Sequence, residues 1–124
     1  MTGNKVLLDT NIISALLEGE REIADKVHIP IIVIGELYYG ASYSMQVEKN
    51  TKEIRKLTKT YNIKGVDEDV TVQYGQMKAL LRKKGTPIPE NDIWIAAIAL
   101  RNDLTLITRD RHCKEVENLK IEKW

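Results

Sequence analysis

Short apolar runs, each closed by a polar break and followed by a longer helical pattern, constrain this chain more than any other feature. The runs are Val6, Leu7 and Leu8, then residues 31–34, a weaker pair at Ile63 and Val66, and residues 104–107. Runs this short suit strands buried on both faces rather than helices. Strands that alternate with helices pair in parallel through right-handed crossovers. The expected fold is therefore α/β, with a short-stranded, mainly parallel sheet of four or five strands and helices on both faces.

The chain has 124 residues, which predicts one domain over 1–124 with a real core. A formal net charge of +1 excludes a general pull toward nucleic acid or membrane, so any such contact must come from a local patch. The one cysteine, Cys113, excludes a disulfide framework and favours a reducing compartment. Residues 1–5 are polar and lead straight into the first strand, unlike a signal peptide, and no apolar run is long enough to cross a bilayer. These features predict a cytoplasmic protein that does not enter membranes.

The first run ends in Asp9-Thr10-Asn11, and a short helical pattern follows over residues 12–17. Residues 20–27 read as another short helix, and Pro30 ends whatever precedes it. Ile31, Ile32, Val33 and Ile34 are β-branched and read as the second strand, with Gly35 and Glu36 at its end. Helices are expected over 37–43 and 46–61. The strongest helix spans 67–84. Val70, Tyr74, Met77 and Leu81 share one face, acids load its start, cations load its end and Gly85 stops it. After a loop carrying Pro87 and Pro89, Asn91 or Asp92 is expected to cap a helix over 93–100. That helix is apolar all round and must be buried. The strand at 104–107 leads into Thr108-Arg109-Asp110, one or two helical turns over 111–116 and an edge strand at 119–121.

On this plan Asp9 ends the first strand, Glu36 the second and Asp110 the fourth, while Asp92 opens the buried helix. In an open α/β sheet ligands gather at the carboxyl ends of the strands. Each acid alone has a structural explanation as a cap, a first-turn acid or a surface ion-pair partner. Several converging on one edge do not, because like charges a few ångströms apart repel. A hard divalent cation, Mg²⁺ or Mn²⁺, relieves that repulsion. Held by carboxylates, it activates water and stabilises a phosphoryl transition state, which suits phosphodiester hydrolysis. His28 and His112 stand apart from any zinc spacing. Asn11 and Thr108 are placed either to orient a carboxylate or to cap helices. Arg109, Arg111 and residues 82–84 are the cations near this edge that could hold phosphate.

Four stretches in register carry a resemblance: VLLDTNII from Val6, VIGELYYG from Val33, ENDIWIAAIAL from Glu90 and LITRDRH from Leu106. Together they resemble the PIN domain, above all the VapC-type toxins of toxin–antitoxin pairs. The resemblance covers nearly the whole chain. It implies a three-layer α/β/α sandwich and a metal-dependent ribonuclease. It implies catalytic and metal-binding roles for Asp9, Glu36, Asp92 and Asp110, with Thr108 as the small hydroxyl residue beside the last acid. It also implies a homodimer, a VapB-like antitoxin partner and an RNA substrate, transfer or ribosomal. Cys113 departs from the family pattern, in which an aromatic residue often follows the histidine.

Three rivals are open on residues alone. A receiver-type signalling domain needs an acidic pair after the first strand and a phosphorylatable Asp after the third. A hydrolase with an aspartate nucleophile needs a second Asp where Asn11 stands. A non-catalytic RNA-binding scaffold would not need four acids.

Overall fold

The computed structural model describes residues 5–17 and 27–123. Five strands form one all-parallel sheet: β1 (Val6–Leu8), β2 (Val27–Pro30), β3 (Asn62–Lys64), β4 (Thr105–Ile107) and β5 (Ile121–Glu122). The helices among the described residues are α1 (Thr10–Leu17), α2 (Ile31–Ser42), α3 (Val47–Thr60), α4 (Glu68–Lys84) and α5 (Glu90–Arg101), with a 3-10 turn at His112–Glu115.

The strand order is β3-β2-β1-β4-β5. The chain moves outward from β1 to β3, then crosses back over the sheet to β4. Right-handed crossovers set α1–α3 on one face and α4–α5 on the other, giving the α/β/α sandwich. The direction of winding reverses between β1 and β4, and that crevice is where such sheets bind ligands.

The central strands are short because they are buried on both faces. Every residue of β1 and β2 is buried, as are Leu106 and Ile107 of β4. The expected all-apolar helix is α5, with Ile93 and residues 95–99 buried. Tyr74 of α4 stacks on Trp94 of α5 with ring centroids 3.7 Å apart and planes 8° from parallel. The Tyr74 hydroxyl also hydrogen-bonds Glu90, and Lys78 pairs with Glu90 at 3.0 Å. These contacts fix where α5 begins. Helix α4 is capped at both ends. The Asp67 carboxylate accepts from the Val70 N–H at 2.9 Å, and Gly85 closes the helix at φ 71°, a left-handed conformation that glycine adopts without strain.

Several expectations are corrected. The second strand is Val27–Pro30, and residues 31–34 are instead the first turn of α2. Pro30 explains the shift: at φ −66° and ψ 141° it completes an extended segment, and the next residue starts a helix. In that helix Val33 and Ile34 are buried while Ile31 is exposed, a helical rather than a strand pattern. Burial thus overrode the β-branched preference. Of the helix expected over 20–27, Val27 belongs to β2 and the rest lies outside the described residues. Helix α1 starts at Thr10, two residues early. Neither Asn91 nor Asp92 caps α5. The helix opens one residue before them, behind Pro89, and their side chains turn to other partners.

Candidate functional site

Leu8 pairs in register with Ile107, so the residues after β1 and β4 leave the sheet side by side. The Asp9 N–H donates to the Ile107 carbonyl at 3.0 Å, extending the ladder by one rung. The side chain of Asp9 is nearly buried and both its oxygens are engaged. Oδ1 accepts from the Thr10 N–H and Oδ2 from the Thr108 hydroxyl, each at 2.7 Å. Thr108, itself buried, also accepts from the Asp110 N–H at 3.0 Å. One hydroxyl therefore links the acid after β1 to the backbone of the acid after β4. Asn11 Oδ1 accepts from the Arg109 N–H at 3.2 Å and ties the same two loops together.

Asp92 reaches this edge from the first turn of α5. Its Oδ2 lies 2.8 Å from His112 Nδ1, and Asp110 Oδ1 lies 3.0 Å from the same nitrogen. Ligand atoms of Asp92, Asp110 and His112 all fall within 4.8 Å of one another. Burial raises the Asp92 carboxyl above its ordinary range, the charges of Asp9 and Asp110 raise it further, and the hydrogen bond from His112 opposes them. Asp92 thus feels Asp9 and Asp110 across the crevice. Cys113, buried beside them, has its thiol pushed up to about 12 by burial first and by Asp92, Asp9 and Asp110 after that.

Glu36 arrives differently from expectation. It sits in the second turn of α2, not at a strand end. Its carboxylate accepts from the Thr10 hydroxyl and, at 3.2 Å, from Asn91 Nδ2. It is attached to the cluster through the neighbours of Asp9 and Asp92 rather than through those acids themselves. Sequence reasoning missed Thr10 and Asn91 in this role, although each adjoins a singled-out acid. It also gave no role to His112, whose signal was its place two residues after Asp110.

The donor set suits a hard cation. Two carboxylates converge within ligand distance, a third adds negative charge, and Asp92 is disfavoured as an anion unless something positive stands near it. The imidazole of His112 adds one nitrogen to a set expected to be all oxygen. After β3 the chain continues Gly65-Val66, so no carboxylate stands there as a receiver would require.

Comparison with known proteins agrees with this geometry. Residues 6–119 match the family model of the PIN domain. Ribonuclease VapC1 of Haemophilus influenzae is 31% identical, over 95% of this chain and 96% of its own. Ribonuclease VapC2 of the same organism is 33% identical, over 97% and 98%. Among solved structures, the DNA-bound VapBC of Salmonella typhimurium superposes with a TM-score of 0.90 at 27% identity, covering 98% of both chains.

Proposed function

The chain belongs to the PIN-domain family and, within it, to the VapC ribonucleases, and from that premise we propose that it is a metal-dependent endoribonuclease acting as the toxin of a VapBC-type pair. The observation that carries the reading is the meeting of Asp92 and Asp110 at the crevice between β1 and β4, beside Asp9, with Asp92 held above its ordinary pKa by burial and then by the charges of Asp9 and Asp110.

Asp9, Asp92 and Asp110 would hold Mg²⁺ or Mn²⁺, with Glu36 completing the acidic set from α2. Bound there, the cation supplies Lewis-acid chemistry for cutting a phosphodiester. The protein's own residues hold the acids ready for it. Thr108 and the Thr10 N–H keep Asp9 oriented. His112 Nδ1 lies against both the Asp92 and the Asp110 carboxylates and holds them at one place. Asn11 holds the two loops at a constant spacing.

A VapB-like antitoxin is the partner this reading requires, and a homodimer is the expected assembly. No described helix is long and apolar enough to cross a membrane. An RNA substrate puts the protein's work in the cytoplasm. The test is cleavage of total cellular RNA in Mg²⁺ or Mn²⁺ by the wild type and by Asp9→Asn. The variant is expected to fold and to lose cleavage by at least about a hundredfold, as loss of an aimed electrostatic contact does. Cutting at the wild-type rate would refute the assignment.

A further inference from the structure

Helix α2 carries an exposed stripe that the acidic site does not explain. Ile31, Gly35 and Tyr39, with Tyr43 at the helix C-cap, follow one another at intervals of four residues along one side. Tyr39 is 72% exposed and Tyr43 84%. Their rings stack with centroids 6.1 Å apart and planes 23° from parallel, and among the described residues neither hydroxyl has a hydrogen-bond partner. Two large aromatic rings kept in water and already stacked are costly to leave uncovered.

The stripe runs into the site. Ile31, Ile32, Gly35, Glu36, Tyr39 and Asn91 line an open groove of about 590 Å³, within the size range of small-ligand clefts. Glu36 and Asn91 join across it. Gly35 leaves the groove floor bare. A glycine inside a helix is less favourable than alanine. Here nothing lies within 4 Å of where a Cβ would stand, and no positive φ requires it. The bare floor gives a flat group room between Ile31 and Tyr39. From Glu36, Tyr39 lies about 4.5 Å along the helix axis and Tyr43 about 10 Å, at 1.5 Å per residue.

Charge selects the occupant. Helix α3, packed alongside α2, carries Lys49, Lys52, Arg55, Lys56 and Lys59 against Glu48 and Glu53. Among the described residues none of those five cations has an ion pair. A chain with net charge +1 thus concentrates unpaired positive charge on the helix packed against the one that carries the aromatic stripe. Stacking rings beside a basic track are how proteins hold single-stranded nucleic acid.

We propose that Tyr39 and Tyr43 form a stacking platform for unpaired bases of the RNA, seating a single-stranded segment beside Glu36. The inference rests on the ribonuclease reading and deepens it, since it assigns the residues that seat the strand beside the acids. Tyr39 and Tyr43 are then positioning residues: they set where the strand crosses the acids.

The test measures binding of a fluorescein-labelled twelve-nucleotide oligoadenylate by anisotropy, on an Asp9→Asn background that keeps the probe intact. Tyr39→Ala is expected to weaken binding about tenfold, since stacking contributes roughly 1–3 kcal/mol per base. Tyr39→Trp is expected to bind like the parent, and Tyr39→Leu like the alanine variant. Gly35→Leu, which fills the groove floor, is expected to weaken binding without loss of thermal stability. Removing one base from the probe should weaken binding to the parent more than binding to Tyr39→Ala, because the two changes delete one contact. Equal affinity of parent and Tyr39→Ala overturns the proposal. So does rescue by leucine, which would mean that apolar area alone matters, as at a protein interface. A shift in oligomeric state or in antitoxin retention with unchanged RNA affinity would assign the face to a protein partner instead. A parent that cannot bind the probe while the wild type still cuts cellular RNA overturns this inference alone. Absence of cutting by the wild type sinks the ribonuclease reading itself.

Discussion

Asp9 and His28 are equally buried, each 5% exposed, on neighbouring strands of one sheet, yet the fold treats them in opposite ways. Asp9 stands just past the carboxyl end of β1 with both oxygens hydrogen-bonded. His28 sits within β2, level with Leu7 of β1 and Asn62 of β3, and among the described residues neither ring nitrogen has a partner. Burial, then the charges of Lys64 and Lys5, lowers its pKa below 6.5, so the neutral ring is favoured. Inside the sheet the backbone groups already pair with one another and offer a side chain nothing. At the strand ends N–H groups and hydroxyls turn free, and there a carboxylate can be buried without being orphaned. The chemistry gathers at the strand ends for this reason.

The largest effect should come from breaking the satisfied member of the pair. Thr108→Val keeps the shape of the side chain but removes the donor to Asp9 and the acceptor for the Asp110 N–H. Leaving a buried carboxylate short of one hydrogen bond costs about 2–3 kcal/mol. Urea denaturation is expected to register that loss. RNA cleavage should drop about 10- to 100-fold, the usual effect of removing a group that orients a metal ligand. Thr108→Ser, which keeps the hydroxyl, should recover most of both. Equal stability of the valine and serine variants would show that Asp9 does not depend on this bond.

His28→Leu tests the other member and should act in the opposite direction. It removes two unsatisfied nitrogens at nearly constant volume, so a gain of about 1 kcal/mol at neutral pH is expected. The sign of the pH dependence follows from the lowered pKa. The unfolded chain binds a proton near pH 6.5, whereas the folded chain binds it only at lower pH. Wild-type stability should therefore fall as pH drops below about 6.5 and go on falling down to the folded pKa. The leucine variant should lack this component of the slope in denaturant titrations across pH 7 to 5. A destabilised His28→Leu would mean that the ring makes a contact the comparison denies it.

The same contrast explains what could be read from the residues and what could not. Strand β1, strand β4 and the doubly capped α4 follow from local pattern, since their apolar periods and end signals agree. Strand β2 does not, because a histidine and a proline fill half of it, and only burial between β1 and β3 makes Val27–Pro30 a strand. Asp9 and Asp110 could be placed on one edge from topology alone. Glu36 meets that edge from a helix turn rather than a strand end, through hydrogen bonds to Thr10 and Asn91 that no spacing encodes. Asp92 looked like a cap because it follows a proline loop. The true start at Glu90 is held by Tyr74, Trp94 and Lys78, contacts made between α4 and α5. His112 lies within the cluster because the chain turns tightly after Asp110, whose Oδ1 accepts from the His112 N–H at 3.2 Å.

Cys113 gives the smallest effect and a third way of burying a polar group. It is 1% exposed and adjoins the acids, but a thiol needs no strong partner if it stays protonated. Burial and three nearby carboxylates push it up to about 12, so at pH 8 roughly one molecule in ten thousand carries the thiolate. The thiolate is the reactive form. Native protein at pH 8 should therefore resist iodoacetamide for hours, while protein in urea should alkylate readily, as mass spectrometry would report. Mg²⁺ or Mn²⁺ offsets the negative charge of the acids and should bring the thiol down. It cannot undo the burial, which is the larger cause, so labelling of the folded protein should stay slow with the cation present. Rapid alkylation without denaturant would show that the loop after β4 opens, and the acids held there would then be less fixed than Asp9.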